Sequence, residues 1–420
     1  MRIGSSPQHE HITLPPPTSL SEPTPSVRLN VVPGAAPAPR LDSVDCLRGI
    51  VMILMALDHV RDYFTDAHFD PLDLSATTIP LALTRWITHF CAPVFVFLAG
   101  TGAYLSLSRG KPRSEVSRFL LTRGIWLIVL ELTVVRLGWE FNFNYHIAFV
   151  QVIWAIGWSM VFLSALIALP SRVVGAIGVA MILTHNLFDN VAPSSLGVMG
   201  WPWQVLHAGG PIPYARDFIF FVAYPLIPWV GVMAAGFAFG EVFSMVTQRR
   251  RRTLLMLGGA LTVLFVVLRA SNLYGDPEPW SPQSNTSMSV ISFINCQKYP
   301  PSLLYLLMTL GPAIALLAPL ERWKGRASRF VLVFGRVPMF YYLIHIPFIH
   351  GLALLVAFTL GIDVSFVFAA PFFKPYPNAW GFPLLGVYAF WAFTIAVLYP
   401  LCRRFARFKA RRRDPWLSYL

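Results

Sequence analysis

Ten long apolar runs, near residues 45–64, 80–107, 119–138, 146–169, 173–189, 217–244, 253–270, 302–319, 329–358 and 381–402, constrain this 420-residue chain more than any other feature. Each is long enough to cross a ~30 Å hydrocarbon core as a helix. Backbone N–H and C=O groups cannot go unpaired in lipid, which confines such a pattern to a bundle of spanning helices. The predicted fold class is all-α, a polytopic integral membrane helical bundle of about ten transmembrane helices. Composition agrees, because 55% hydrophobic and 13% charged residues leave too little polar surface for a soluble domain.

The formal net charge of +13 does not point to nucleic acid, because the basic residues sit in short clusters between apolar runs rather than on one soluble face. Arg109, Lys111, Arg113 and Arg118 follow the second run, Arg249 to Arg252 the sixth, Arg322, Lys324, Arg326 and Arg329 the eighth, and Arg403 to Arg413 the tenth. These clusters alternate with loops poor in clustered positive charge: Thr65–Ile79, Asn190–Arg216, Ser271–Pro301 and Gly361–Asn378. Lys and Arg accumulate on the cytoplasmic side, so both termini are predicted to be cytoplasmic in a multi-pass protein of the bacterial inner membrane. Trp201, Trp203 and Trp280 in the outer loops read as interfacial anchors or as a sugar-binding surface.

Residues 1–40 are rich in Pro, Ser, Thr and Ala and too poor in apolar surface to offset the entropy of ordering, so they are predicted to be a disordered cytoplasmic tail. They lack the basic stretch, apolar core and small-residue cleavage site of a secretory signal. The transmembrane domain is predicted over 41–405, with a basic cytoplasmic tail over 406–420. Cys46, Cys91, Cys296 and Cys402 are too widely spaced for a disulfide framework or a zinc site, and no metal is expected. No internal repeat is evident, which weakens an inverted-repeat transporter reading.

Ionisable groups inside a membrane need a partner, a solvated cavity or a function. In the first run Arg48 and His59 are eleven residues apart, which at ~100° per residue returns them to within about 20° of one helical face. Asp45, Arg48, Met52, Met55, His59 and Asp62 then form a stripe about 25 Å long. Such a stripe suits group transfer between partners approaching from opposite sides. Arg48, with Asp45, is placed to hold a phosphate or pantetheine-side group. His59 is placed to take a proton from an acceptor or to carry the acyl group itself. Asp58 points about 100° away from it.

In the second run Arg85 and His89 lie at i, i+4 before Pro93 and are candidates to line the same cavity, with helix packing the other reading of His89. Arg136, His345 and Lys298 are further candidates for substrate contact; snorkelling to the interface accounts for Lys298 as well.

Four segments carry a family resemblance: Arg40–Val60 with its Val-Asp-Cys-Leu-Arg-Gly core, Trp86–Gly102, Cys296–Gly311 and Gly335–His350. With them the chain resembles bacterial membrane proteins of the heparan-α-glucosaminide N-acetyltransferase-like group. The arginine, ten residues, then histidine arrangement is also similar to that of membrane O-acyltransferases of surface polysaccharides.

The resemblance implies acyl transfer from cytoplasmic acyl-CoA, with acetyl-CoA the expected co-substrate, to a sugar or glycan acceptor on the far side. No tightly bound cofactor is implied; acyl-CoA, the acceptor and membrane lipid are the expected partners. The lysosomal enzyme carries an Asn where this chain has His59, with its acyl-accepting histidine in the loop beyond. That makes His68, in Asp66-Ala-His-Phe-Asp70, a rival to His59, which is preferred for its fixed position in the membrane. The other classes left open are a proton-coupled small-molecule transporter using Arg48, His59, Glu131 and His345 as a relay, and a non-catalytic membrane scaffold.

Overall fold

A computed structural model describes residues 41–369, 375–412 and 414–420. The predicted N-terminal tail lies outside the described residues. In chain order the elements are α1 (Asp42–Phe64), α2 (Ile79–Thr88), α3 (Cys91–Ser108), α4 (Arg113–Leu130), α5 (Arg136–Glu140), β1 (Ile147–Val150), α6 (Val152–Leu166), α7 (Ser171–Thr184), the single turn α8 (Gly200–Trp203), β2 (Gly210–Ala215), β3 (Phe218–Val222), α9 (Leu226–Phe239), α10 (Thr247–Ser271), α11 (Thr286–Ile294), α12 (Leu303–Leu320), α13 (Arg326–Arg336), α14 (Pro338–Thr359) and α15 (Leu384–Arg411).

Among the described residues, seven helical stretches are long and apolar enough to cross a membrane: Ile79–Ser108, Ser171–Phe188, Leu226–Ser244, Thr247–Ser271, Leu303–Leu320, Pro338–Thr359 and Leu384–Arg411. The chain has the helices of a multi-pass membrane protein. Helices α1 and α4, of 23 and 18 residues, have the length but carry charged side chains, and α6 is apolar but has 15 residues.

The expectation of an all-helical chain needs correction. The runs at 146–169 and 217–244 each begin with a strand, and β1, β3 and β2 form a three-stranded sheet in that order. Strand β1 pairs parallel to β3, and β2 pairs antiparallel to it. Ile-Ala-Phe-Val and Phe-Ile-Phe-Phe-Val are short, β-branched or aromatic segments, a composition that periodicity alone cannot separate from buried helix. Proline-bearing β2 lies at the edge, where missing N–H groups cost least.

Two apolar runs are also broken by proline. The run at 80–107 is interrupted between α2 and α3, where Pro93 has no N–H for the His89 carbonyl; the Tyr305 hydroxyl donates to that carbonyl instead, at 2.8 Å. The run at 329–358 divides at Val337, and Pro338 opens α14, where its missing N–H needs no partner.

Helix α1 is the axis of the bundle, packed by α3, α12, α13, α14 and α15. A Cβ on Gly335 would lie 1.8 Å from the Asp45 carbonyl, and one on Gly49 would lie 2.2 Å from the Val331 carbonyl. These two glycines let the backbones of α1 and α13 touch, as small residues do where membrane helices pack closely. Asp58 and Arg61 of α1 are buried against protein, while α10 and α15 present mainly exposed apolar surface.

Candidate active site

A cavity of about 390 Å³ opens at the end of the bundle where α1 begins. Arg48, Arg109, Arg123, Arg336 and Lys409 line it, against Asp45 as the acidic lining residue. Its walls are otherwise largely apolar, and Met52 and Tyr342 border it. Arg48 Nη1 donates to Asp45 Oδ1 at 2.8 Å and to the Gly335 carbonyl at 3.2 Å, so the close α1–α13 contact sets where the guanidinium stands. The end of the chain borders the same space: Arg123 donates to the Ser418 carbonyl, and Leu420 lines the cavity.

His59 does not line this cavity. It lies two turns beyond Met52 on the same helix, roughly 10 Å farther along the axis. Its ring stands edge-on to Trp139 with centroids 4.8 Å apart, and 5.2 Å from the ring of His345. His59 Nδ1 has no hydrogen-bond partner and is 3.8 Å from Asp62 Oδ2. His345 is fully buried; its Nδ1 lies 2.7 Å from the Tyr342 carbonyl and 3.0 Å from that of Tyr341. Only an N–H can face two carbonyls, so the proton sits on Nδ1 and Nε2 keeps its lone pair, which has no partner.

A second cluster occupies the adjoining face of α1. Asp58 Oδ1 accepts hydrogen bonds from Arg85 and Thr88, each at 2.8 Å, and forms an ion pair with Arg61 at 2.8 Å, while Lys298 Nζ stands 3.8 Å from Oδ2. Arg61 also donates to Asp62 Oδ1 at 2.7 Å. Three cations against two carboxylates leave one positive charge in excess. Lys298 is 5.0 Å over the Tyr299 ring. Burial pushes the Tyr299 phenol up, but Lys298 and Arg85 outweigh it and hold it below the usual tyrosine range.

The remaining sequence candidates stand elsewhere. His89 is buried beside Tyr305, ring centroids 5.4 Å apart, with neither ring nitrogen hydrogen-bonded. His68 is exposed and stacks on Tyr376 at 4.8 Å; the Tyr376 hydroxyl donates to the Asp62 carbonyl, linking that loop to the end of α1. Arg136 pairs with Glu140 at 2.7 Å, donates to Asn142 and Asn144, and lies 3.8 Å over the Tyr145 ring.

Residues 40–273 match the family described as heparan-alpha-glucosaminide N-acetyltransferase, catalytic. The chain belongs to this family. The match covers more than half of the 420 residues and includes Arg48, His59, His68, Arg85 and His89. No curated protein sequence matches the chain. Membership in the heparan-alpha-glucosaminide N-acetyltransferase family, with the apolar helices, describes a membrane acetyltransferase. His345 and Lys298 lie beyond the matched stretch, yet each stands beside a matched residue of α1.

Sequence reasoning missed Arg61, Arg123, Trp139 and Arg336 as parts of these clusters. Arg123 carried a usable signal, a cation inside the apolar run at 119–138. Trp139 carried none, because an aromatic at a helix end is most often a packing or interface residue.

Proposed function

We propose that this protein is an inner-membrane acetyltransferase that moves acetyl from cytoplasmic acetyl-CoA to a hydroxyl or amine of a sugar-like acceptor on the opposite side. In this reading ten segments cross the membrane, α1, α4 with α5, and α6 joining the seven apolar stretches. Both termini are then cytoplasmic, and the cavity with its five cations faces the cytoplasm, as the positive-inside bias favours.

The observation that carries the reading is that Arg48, at the basic cavity, and His59 share one face of a buried helix. Eleven residues of rise separate them by about 16 Å, a span for the pantetheine arm of a donor whose phosphates stay with the arginines. Asp45 positions the Arg48 guanidinium. At the far end the imidazole of His59 acts on the thioester.

In the carrier form of the reaction a His59 nitrogen attacks the thioester carbonyl, the C–S bond breaks, and CoA leaves as a thiolate that takes up a proton. The acceptor oxygen or nitrogen then attacks the acetyl carbon, the C–N bond breaks, and the acceptor's proton passes to the lone pair of His345 Nε2. In the direct form His59 takes the acceptor's proton while the acceptor attacks the thioester carbonyl, the C–S bond breaks, and the departing CoA thiolate receives that proton from His59. Arg85 and Lys298, with the excess charge around Asp58, are assigned to the acceptor side.

The test is purified protein with radiolabelled acetyl-CoA. Arg48→Ala should lose donor binding, while His59→Ala should bind donor yet release no CoA. Acetyl trapped on the wild type and absent from His59→Ala identifies the carrier form. Loss of turnover in His68→Ala with His59→Ala unaffected moves the chemistry to His68. Unaltered donor binding in Arg48→Ala, or no acetyl-CoA hydrolysis or transfer by well-folded wild type, sinks the proposal.

A further inference from the structure

We propose that His185, Asp189 and His207 form a binding site for one divalent transition-metal ion, with Zn²⁺ the ion their chemistry suits best. One ligand atom from each residue lies within 4.8 Å of the others. Around a tetrahedral ion bound at ~2.0–2.1 Å, ligand atoms stand roughly 3.4 Å apart, so loading contracts the group by about 1 Å or slightly more. Two imidazoles and a carboxylate match a zinc-type set with a position left for water.

The surroundings of the three side chains suit coordination of an ion. His185 is 1% exposed, yet neither of its ring nitrogens has a hydrogen-bond partner. Burying such a group unpaired is costly, and coordination would relieve it. Asp189 Oδ2 accepts from the Asn186 amide at 2.8 Å, while Oδ1 is buried without a hydrogen bond, 3.6 Å from His207 Nε2. Asn186 thus orients the carboxylate from behind, as outer partners do in metal sites. The His207 ring is stacked on Trp203, centroids 4.6 Å apart. Its Nε2 is 2.7 Å from the His185 carbonyl, a hydrogen bond that coordination through Nε2 would exchange for a metal bond.

The site lies away from the basic cavity and takes no part in the transfer proposed above. It would fasten the turn after α7 to the segment before β2. Asn186 Oδ1 also accepts the Leu303 N–H at 2.9 Å, so the same turn braces the start of α12, just after Lys298. No metal was expected from the sequence because the cysteines are too far apart; here the ligands are histidines and an aspartate that a folded outer loop brings together.

The experiment is to strip purified full-length protein with a chelator, dialyse it against Zn²⁺ or Co²⁺ alone, and measure bound metal and thermal stability. Wild type should retain one equivalent, show the d–d absorption of low-symmetry Co²⁺, and melt higher when loaded. His185→Ala and the near-isosteric Asp189→Asn should each bind at least roughly tenfold more weakly. If the alanine variant does not fold, Asp189→Asn and the cobalt spectrum of wild type decide. No retained metal in wild type, an octahedral aqua-like cobalt spectrum, or equal retention by wild type and Asp189→Asn overturns the proposal.

Discussion

His59 on α1 and His345 on α14 stand with ring centroids 5.2 Å apart, and each has a buried nitrogen that meets no hydrogen-bond partner. Two imidazoles so placed have capacity left for a substrate proton or acyl group. The carbonyls of Tyr341 and Tyr342 fix the tautomer of His345, so its free nitrogen is a base and not a donor.

His345→Ala should therefore lower kcat by about 10²–10⁴-fold, the usual loss for a positioned general base. Acetyl-CoA affinity should stay within about twofold, because the basic cavity is untouched. Single-turnover CoA release and equilibrium donor binding, measured side by side, separate the two quantities. An equal fall in donor affinity would show that His345 holds substrate and moves no proton.

Gly335→Leu should separate α1 from α13, since even a Cβ there meets the Asp45 carbonyl at 1.8 Å. Overpacking of this kind costs about 1–3 kcal/mol. Because Arg48 also loses its place against the Gly335 carbonyl, donor affinity should drop along with the melting temperature. Calorimetric titration with acetyl-CoA, next to a thermal melt, checks both effects.

Asp58→Ala should be among the most damaging single changes, because it leaves Arg61, Arg85 and Lys298 facing each other with one carboxylate removed. Breaking a buried pair in this way costs about 3–5 kcal/mol. Lys298→Met should be milder, since Asp58 keeps both arginines and the cluster moves to neutrality. The order of the two melting temperatures is the measurement; the reverse order would contradict this account of the charges.

The Tyr299 phenol gives a pH dependence with a defined sign. Its folded value lies below the ordinary 10.0, so between the two values the folded state has lost a proton that the unfolded chain keeps. The contribution of Tyr299 to stability should rise with pH through that window, be fully present above 10.0, and be lost as pH falls through the folded value. Tyr299→Phe should remove this contribution, so that wild type gains stability relative to the variant as pH rises through the window, and Lys298→Met should push tyrosinate absorbance back toward the ordinary range.

The arginines of the cavity should make donor binding salt-sensitive. Arg123→Gln and Arg336→Gln should each weaken acetyl-CoA binding and flatten its dependence on ionic strength, because partly exposed charges are screened by salt. Titrations at low and high salt measure the change; identical salt slopes for wild type and variants would remove phosphate recognition from this cavity.

Much of this arrangement was legible along the chain. Continuous apolar runs of about 20 residues announce helices, because a helix pairs its backbone within its own segment and needs that length to cross the lipid. That Arg48 and His59 share a face follows from helical geometry, since eleven residues complete three turns within about 20°. The chain could not announce that residues 147–150 and 218–222 pair as strands, because a short apolar segment looks the same in a sheet and in a buried helix.

By itself, then, the sequence determined the membrane class, the helical faces and the polar side chains that need an explanation, all consequences of local periodicity and of the cost of charge in lipid. Tertiary structure alone decided which of those side chains meet. It brought His345 to His59, closed three cations around Asp58, turned Arg136 toward Glu140 and gathered two histidines and Asp189 at the end of α7. Those encounters depend on how helices distant in sequence pack, and on backbone contacts such as Gly335 against Asp45, which no local pattern encodes.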